Sequence, residues 1–169
     1  MQQPPMIEQR AALPYAGIRM QFAMDGFTAA VDEAFPELFG WLADRGVQPA
    51  GPPFIRYHVI DMPAELDVEF GVPVGAAAQG DDRVRPGVLP AGRYVTLRHA
   101  GPYDGLIASN AALQNWAKAR GITFDSRDTD HGEAWHSRVE HYLTDPSAEP
   151  DPSKWQVDIA YLVSAAEQG

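Results

Sequence analysis

Cysteine is absent from the 169-residue chain, so disulfide bridges, thiolate nucleophiles and zinc–thiolate sites are excluded. The histidines form no spacing typical of a metal site: His58, His99, His131, His136 and His141. The sequence therefore predicts neither a metal nor a cofactor. Three serines, Ser109, Ser126 and Ser137, lack a G-x-S-x-G elbow, which does not favour a serine hydrolase.

Positive charge is scarce. The 13 lysines and arginines stand against 23 acidic residues, which gives a formal net charge of −10. Such a surface repels phosphate backbones and favours the approach of cations, so we expect no direct binding to nucleic acid. No apolar run reaches the length of a membrane span, and residues 1–15 lack the pattern of a signal peptide. We therefore expect no membrane partner and a cytoplasmic location.

Two stretches of the chain repeat each other. "LFGWLADRGV" begins at Leu38 and "LQNWAKARGI" begins at Leu113, and both follow the pattern L-x-x-W-x-x-x-R-G-[VI]. The upstream flanks align Phe27 with Tyr103. Downstream, residues 57–63 align with 140–146, and residues 66–74 align with 155–163. The chain thus consists of two related halves.

Periodicity predicts the elements of each half. Residues 92–100, 137–143 and 155–163 are typical of strands, and a helix is expected between a possible N-cap at Asp104 and a C-cap at Gly121. In the first half, Pro36 either lies in the first turn of a helix or kinks a longer one. Residues 124–135 have the composition of a mobile loop.

These elements predict an α+β fold within a single domain, residues 1–169. It is a tandem pseudo-two-fold βαββ(β) repeat of antiparallel sheets, with helices on one face and the other face free. The halves are residues 7–75 and 89–164, joined by a flexible linker at about residues 75–88.

Strand alternation within residues 137–143 sorts the side chains by face. Arg138, Glu140 and Tyr142 share one face, and Val139, His141 and Leu143 share the other, which we expect the helices to cover. The repeat alignment places Tyr57 opposite Glu140 and Val59 opposite Tyr142. The face that the helices leave free is then an aromatic surface containing one carboxylate.

A carboxylate removed from water needs partners. Tyr57 or Tyr142 could donate a hydrogen bond to Glu140, and a ligand cation could supply the remaining compensation. Such a site favours flat, hydrophobic, positively charged molecules. In the alternative interpretation, Glu140 pairs with Arg138 or His136 on an exposed strand face, where an ion pair contributes little.

Four segments resemble a known family. "GPPFIRYHVID" (51–61), "LDVEFGVPV" (66–74), "HAGPYDGL" (99–106) and "VEHYLTDP" (139–146) occur in the order and spacing of the gyrase-inhibitor-like family, also called the effector-binding domain of AraC-type and MerR-type multidrug regulators. The resemblance extends from about Ile7 to Val163.

The resemblance implies a central ligand cleft on the pseudo-dyad, with Glu140 at its base and aromatic side chains around the ligand. It implies Tyr142 and Tyr57 as neighbours of Glu140, and Tyr103 and Phe27 at the rim. Two further candidate ligand-binding residues, Phe70 and Tyr161, lie on strands whose orientation the sequence leaves open. Multidrug regulators carry a DNA-binding domain before this one, for which the chain has no room, so we expect a stand-alone module.

Two functions follow from this resemblance. The first is binding of a small hydrophobic, cationic ligand. The second is hydrolysis of cyclopropanoid, DNA-alkylating natural products, with Glu140 as general base and Tyr57 or Tyr142 hydrogen-bonded to the substrate carbonyl. Because members of the family modulate DNA gyrase, a third possibility is a protein partner, either gyrase or a regulator.

Overall fold

The computed structural model describes residues 4–61, 65–75 and 79–165. Within these ranges, ten strands form one curled antiparallel sheet, and two helices pack against it. The strands are β1 (Met6–Arg10), β2 (Leu13–Phe22), β3 (Phe54–Asp61), β4 (Glu65–Pro73), β5 (Arg85–Leu89), β6 (Gly92–Ala100), β7 (Ser126–Thr129), β8 (Gly132–Trp135), β9 (Arg138–Tyr142) and β10 (Gln156–Leu162). The helices are α1 (Phe27–Asp44) and α2 (Leu106–Ala119).

The sheet order reveals the two halves. It runs β1-β6-β10-β9-β3-β4-β2-β5, so that β6, β10 and β9 of the second half mirror β2, β4 and β3 of the first. The halves meet where β3 pairs with β9. The predicted α+β fold with two related halves is confirmed.

The two outer strands are exchanged between the halves. β1, at the start of the first half, pairs with β6 of the second, and β5, just before β6, pairs with β2 of the first. The segment predicted as a flexible linker, residues 75–88, therefore ends in a structural strand, β5, whereas residues 76–78 lie outside the described ranges. β5 was not predicted from the sequence because it contains Pro86 and Gly87, and such residues suit only a strand at the edge of a sheet.

The shared W-x-x-x-R-G motif has the same role in both halves. At the end of α1, the Arg45 guanidinium carbon lies 4.0 Å from the Trp41 ring centroid. At the end of α2, the corresponding distance from Arg120 to Trp116 is also 4.0 Å. The glycine that follows each arginine adopts a positive φ, 66° in the first half and 69° in the second, which favours glycine.

The two helices begin in the same way and differ in length. Each follows a 3-10 turn, Met24–Gly26 before α1 and Tyr103–Gly105 before α2, so Tyr103 corresponds to Met24 rather than to Phe27. Gly105 is the N-cap of α2, not Asp104. α1 has 18 residues against 14 in α2 and contains Pro36 in its interior, as one of the two alternatives predicted.

Both helices pack on one face of the sheet. α1 buries Ala34 against Ile55 and Val68, and α2 buries Leu113 against Ile159 and Val95. Ile55 and Ile159 are the two cross-strand partners of Glu140, so the helices lie on the Glu140 face. The prediction that helices cover the Val139 face is wrong, because Val139 packs with strand residues on the opposite face of the sheet.

The opposite face of the sheet has its own apolar cluster. Tyr15, Phe54, Leu89 and Val139 are buried together there, since the curl of the sheet brings them into contact. The region predicted as a mobile loop, residues 124–135, contains the β7–β8 hairpin, which extends the sheet from β3. No helix in the described part of the chain is long and apolar enough to cross a membrane.

Candidate functional site

A cleft of about 1140 Å³ lies between α1 and α2, above the junction of β3 and β9. Its walls are mainly apolar, with aromatic side chains from both halves: Phe27, Phe35, Phe39, Tyr57, Tyr103 and Tyr142. At its mouth, Ile107 is 82% exposed, and Phe39 and Leu143 are also solvent-accessible. Large apolar cavities with few polar groups are typical of small-molecule sites.

Glu140 lies at the base of this cleft and is only 6% exposed. Its Oε1 accepts hydrogen bonds from the Tyr57 hydroxyl at 2.8 Å and the Tyr142 hydroxyl at 2.7 Å. Its Oε2 accepts one from Asn110 Nδ2 at 3.0 Å. The carboxylate is therefore held by three neutral donors, one from each half of the sheet and one from α2.

The ladder registers show how the two halves build this site. Ile55 pairs with Glu140 across the junction, and the pairing of Ile55 with Phe70 matches that of Glu140 with Ile159. Ile55 is thus the counterpart of Glu140. Two residues further along each strand, Tyr57 is the counterpart of Tyr142, not of Glu140 as the sequence alignment predicted. Two equivalent phenols converge on a single acid.

A β-bulge changes which residues of β3 face the cleft. The register shifts between Tyr57 and Val59, which leaves His58 as the extra residue. Val59 consequently turns away from the cleft, and Ile60 lines it instead. The prediction that Val59 shares the face of Tyr57 is wrong, because strict alternation holds only in a strand without bulges.

The two tyrosines remain proton donors. Burial raises the pKa of Tyr57 and of Tyr142 well above its usual value, and the nearby charge of Glu140 raises it further. Ionised phenols beside a buried carboxylate would repel it. Both hydroxyl protons are therefore committed to Glu140 Oε1.

A second layer of hydrogen bonds supports Asn110. Its Oδ1 accepts from the Tyr161 hydroxyl at 2.6 Å, and that hydroxyl accepts from Gln114 Nε2 at 3.0 Å. Asn110 Nδ2 also donates to the Leu106 carbonyl at 2.8 Å. Tyr161 is fully buried and does not line the cleft itself, but it contacts residues that do, Asn110 and Gln114 among them. Asn110 was not identified from the sequence, because nothing local indicates that a helix residue reaches the strand.

The other predicted aromatic residues fall into two groups. Tyr103 and Phe27 line the cleft, and the Tyr103 ring centroid lies 5.7 Å from that of Tyr142. Phe70 is fully buried beneath α1, in contact with Phe35, and does not line the cleft.

The charges in the cleft are mostly negative. Asp104 and Asp145 lie at its rim, Glu140 at its base, and Arg138 is the one basic residue among those that line it in the described ranges. Neither ion pair of the alternative interpretation occurs among the described residues, since Arg138 forms no salt bridge with Glu140, and His136 instead binds Asp125 at 2.8 Å. The described residues also contain no cluster of three or more side chains able to hold a metal ion.

Solved structures with the same fold include two of EcmrR. Its C-terminal domain matches with a TM-score of 0.74 and 20% identity over 97% of this chain and 98% of that domain. EcmrR in a complex with DNA matches with a TM-score of 0.76 and 20% identity over 95% of this chain. This chain spans 57% of the length of EcmrR in that complex.

Two further structures share the fold. SAV2435, solved bound to tetraphenylphosphonium, has a TM-score of 0.66 and 13% identity over 98% of this chain and 96% of its own. A hydrolase from Listeria innocua has a TM-score of 0.62 and 16% identity over 95% and 92% of the two chains.

A comparison with curated protein sequences found no significant match. The family described as GyrI-like small molecule binding domain matches residues 3–163, which is nearly the whole chain. This chain therefore belongs to the family of GyrI-like small molecule binding domains.

Proposed function

We propose that the chain binds bulky aromatic cations in the cleft, with Glu140 as their counter-charge. The observation that carries this proposal is a buried carboxylate at the base of an aromatic cleft, held only by neutral hydrogen-bond donors. Neutral donors make burial of the charge tolerable without cancelling it. A ligand cation that enters the cleft can neutralise the charge of Glu140.

The walls of the cleft support the same ligand class. The faces of aromatic rings attract cations, and Tyr57, Tyr103 and Tyr142 supply such rings next to Glu140. A cavity of about 1140 Å³ has room for a ligand with several rings. The related structure of SAV2435 contains tetraphenylphosphonium, a cation of this kind.

The test compares two ligands of similar shape, the cation tetraphenylphosphonium and the neutral triphenylphosphine oxide, by isothermal titration calorimetry. We expect Glu140→Gln to weaken binding of the cation by about 10- to 100-fold, since the charge interaction acts within a partly desolvated site. Binding of the oxide should change by less than about threefold, because it carries no net charge.

A matched control is available on the other face of the sheet. Glu69 is also buried and also accepts a hydrogen bond from a tyrosine, the Tyr15 hydroxyl at 2.6 Å. Because Glu69 does not line the cleft, Glu69→Gln should leave the affinity for tetraphenylphosphonium unchanged. An equal loss for both ligands in Glu140→Gln, or an equal loss in both variants, would reject the proposed role of Glu140.

A second candidate is hydrolysis of a cyclopropanoid compound, with Glu140 as general base. An acid enclosed by apolar walls suits such a role, and a hydrolase from Listeria innocua shares the fold. The tyrosines are less suited to bind a substrate carbonyl, because both hydroxyl protons are directed at Glu140. Turnover of a cyclopropanoid substrate, abolished in Glu140→Gln, would support this candidate, and product no higher than background would reject it.

The other expectations about partners stay predictions. They are the absence of direct nucleic-acid contact, a cytoplasmic location, and a protein partner such as gyrase or a regulator. The proposal of a cation-binding cleft is independent of them.

A further inference from the structure

Arg138 lies on the same face of β9 as Glu140 and lines the same cleft. Its guanidinium group is packed among three aromatic rings. The Cζ atom lies 4.7 Å from the ring centroid of Tyr161, 4.8 Å from that of Trp135 and 5.8 Å from that of Tyr57. These contacts orient a planar cation through its faces and leave its edge for hydrogen bonds.

The hydrogen-bonding capacity of this guanidinium is unused. The guanidinium of Arg138 makes neither a hydrogen bond nor an ion pair with any residue of the described ranges, and its Nε is buried without a partner. Other arginines of the sheet are paired: Arg19 binds Asp67 through two hydrogen bonds of 2.9 Å, and Arg56 donates to the Tyr15 hydroxyl at 2.9 Å. Because the protein encloses Nε, the donors available to a ligand are those of the terminal Nη groups, which are not buried.

A buried donor without a partner destabilises the folded state, and a charged one does so more strongly than a neutral one. An acceptor oxygen of a ligand in the cleft would compensate the guanidinium by accepting charge-assisted hydrogen bonds from its terminal Nη groups. Carbonyl and phosphoryl oxygens suit a guanidinium edge without bringing a second negative charge towards Glu140. The spacing of the two residues on one strand, about 6–7 Å between alternate Cα atoms, lets one ligand contact both.

We propose that Arg138 is a second specificity-determining residue of the cleft, which binds an acceptor oxygen of the ligand. The preferred ligands are then aromatic compounds that combine a cationic group with a carbonyl-type or phosphoryl-type oxygen. The cationic half of this description rests on the proposed function, whereas the acceptor half rests on Arg138 alone.

A simpler role for Arg138 is to offset the charge of Glu140. The two roles predict different results for a neutral ligand with an acceptor. If Arg138 acts only as a counter-charge, its removal leaves binding of triphenylphosphine oxide unchanged. If it binds the acceptor, its removal weakens that binding. Both roles predict tighter binding of tetraphenylphosphonium, because a nearby positive charge is removed.

The experiment measures both ligands on the wild-type protein, Arg138→Met and Arg138→Lys by titration calorimetry. We expect Arg138→Met to weaken binding of triphenylphosphine oxide by about 10- to 100-fold, the range for hydrogen bonds to a charged group. Arg138→Lys should lose part of this affinity, because the ammonium keeps the charge and lacks the planar edge. Unchanged oxide binding in Arg138→Met would overturn the inference.

A ligand comparison on the wild-type protein provides a test that requires no variant to fold. Triphenylphosphine sulfide has nearly the shape of the oxide, but sulfur is a much weaker acceptor. We expect the wild-type protein to bind the oxide more tightly, and equal or reversed affinities would count against Arg138 as the acceptor-binding residue. Loss of oxide binding in Arg138→Met, together with unchanged tetraphenylphosphonium binding in Glu140→Gln, would reject the proposed function and retain this inference.

Discussion

Moving the negative charge of the cleft by a few ångströms separates its electrostatic role from its hydrogen bonds. In Glu140→Gln, an amide that keeps both tyrosine bonds through its oxygen directs its NH₂ at Asn110 Nδ2, which is also a donor. Adding Asn110→Asp replaces that second donor with a carboxylate oxygen. The double variant therefore has the original charge, now on α2 instead of β9, and a restored hydrogen bond between residues 110 and 140, while the bond from Asn110 to the Leu106 carbonyl is lost.

The magnitude follows from the contact distance. Asn110 Nδ2 and Glu140 Oε2 are 3.0 Å apart, so the charge moves by about that distance. For a ligand cation about 5 Å from Glu140, the attraction is about 3 kcal/mol at an effective dielectric constant of about 20. At about 8 Å it is about 2 kcal/mol. Roughly two-thirds of the electrostatic attraction should return.

The assay is calorimetric titration of the two variants with tetraphenylphosphonium. We expect the double variant to bind this cation at least about fivefold more tightly than Glu140→Gln, while both variants bind triphenylphosphine oxide alike. Equal oxide binding shows that the cleft is intact. Under that condition, a double variant as weak as Glu140→Gln would refute the electrostatic reasoning, and the hydrogen bonds of Glu140 would be its main contribution.

Two predictions concern stability. Burial lowers the pKa of His141 to about 3, so its neutral form is favoured in the folded protein, and stability should fall as the pH drops from about 6.5 towards 3. Urea unfolding should show a slope up to about 1.4 kcal/mol per pH unit smaller in His141→Leu, with exposed His131→Leu as control; equal slopes in wild type and His141→Leu would contradict this. A Cβ at Gly71 would lie 2.7 Å from Cε1 of Phe54, so Gly71→Ala should reduce the free energy of unfolding by about 1–3 kcal/mol. Gly40→Ala, in open space on α1, should instead raise it by up to about 1 kcal/mol, and equal effects of the two alanines would count against the packing argument.

Several features of this protein were determined by its sequence alone, because they depend on residues close together in the chain. The strand Gly92–Ala100 was predicted with its observed bounds, since its β-branched and aromatic residues favour a strand by themselves. The shared tryptophan–arginine–glycine motif marks the end of each helix through a local stacking contact and a positive φ. Alternation within β9 was sufficient to place Arg138, Glu140 and Tyr142 on one face.

Only the tertiary structure decided which face that is and what completes the site. Alternation shows which side chains share a face, but it does not show which face of the sheet the helices pack on, because helix packing depends on contacts between distant segments. The bulge at His58 places Ile60 instead of Val59 in the wall of the cleft, and the apolar pattern of the sequence does not indicate this bulge. Asn110 reaches Glu140 because α2 packs on β6 and on β10, the neighbour of β9, and Tyr57 joins Tyr142 because β3 pairs with β9. The acid and its strand neighbours were thus local information, whereas the enclosure that gives the acid its chemistry arises from long-range packing.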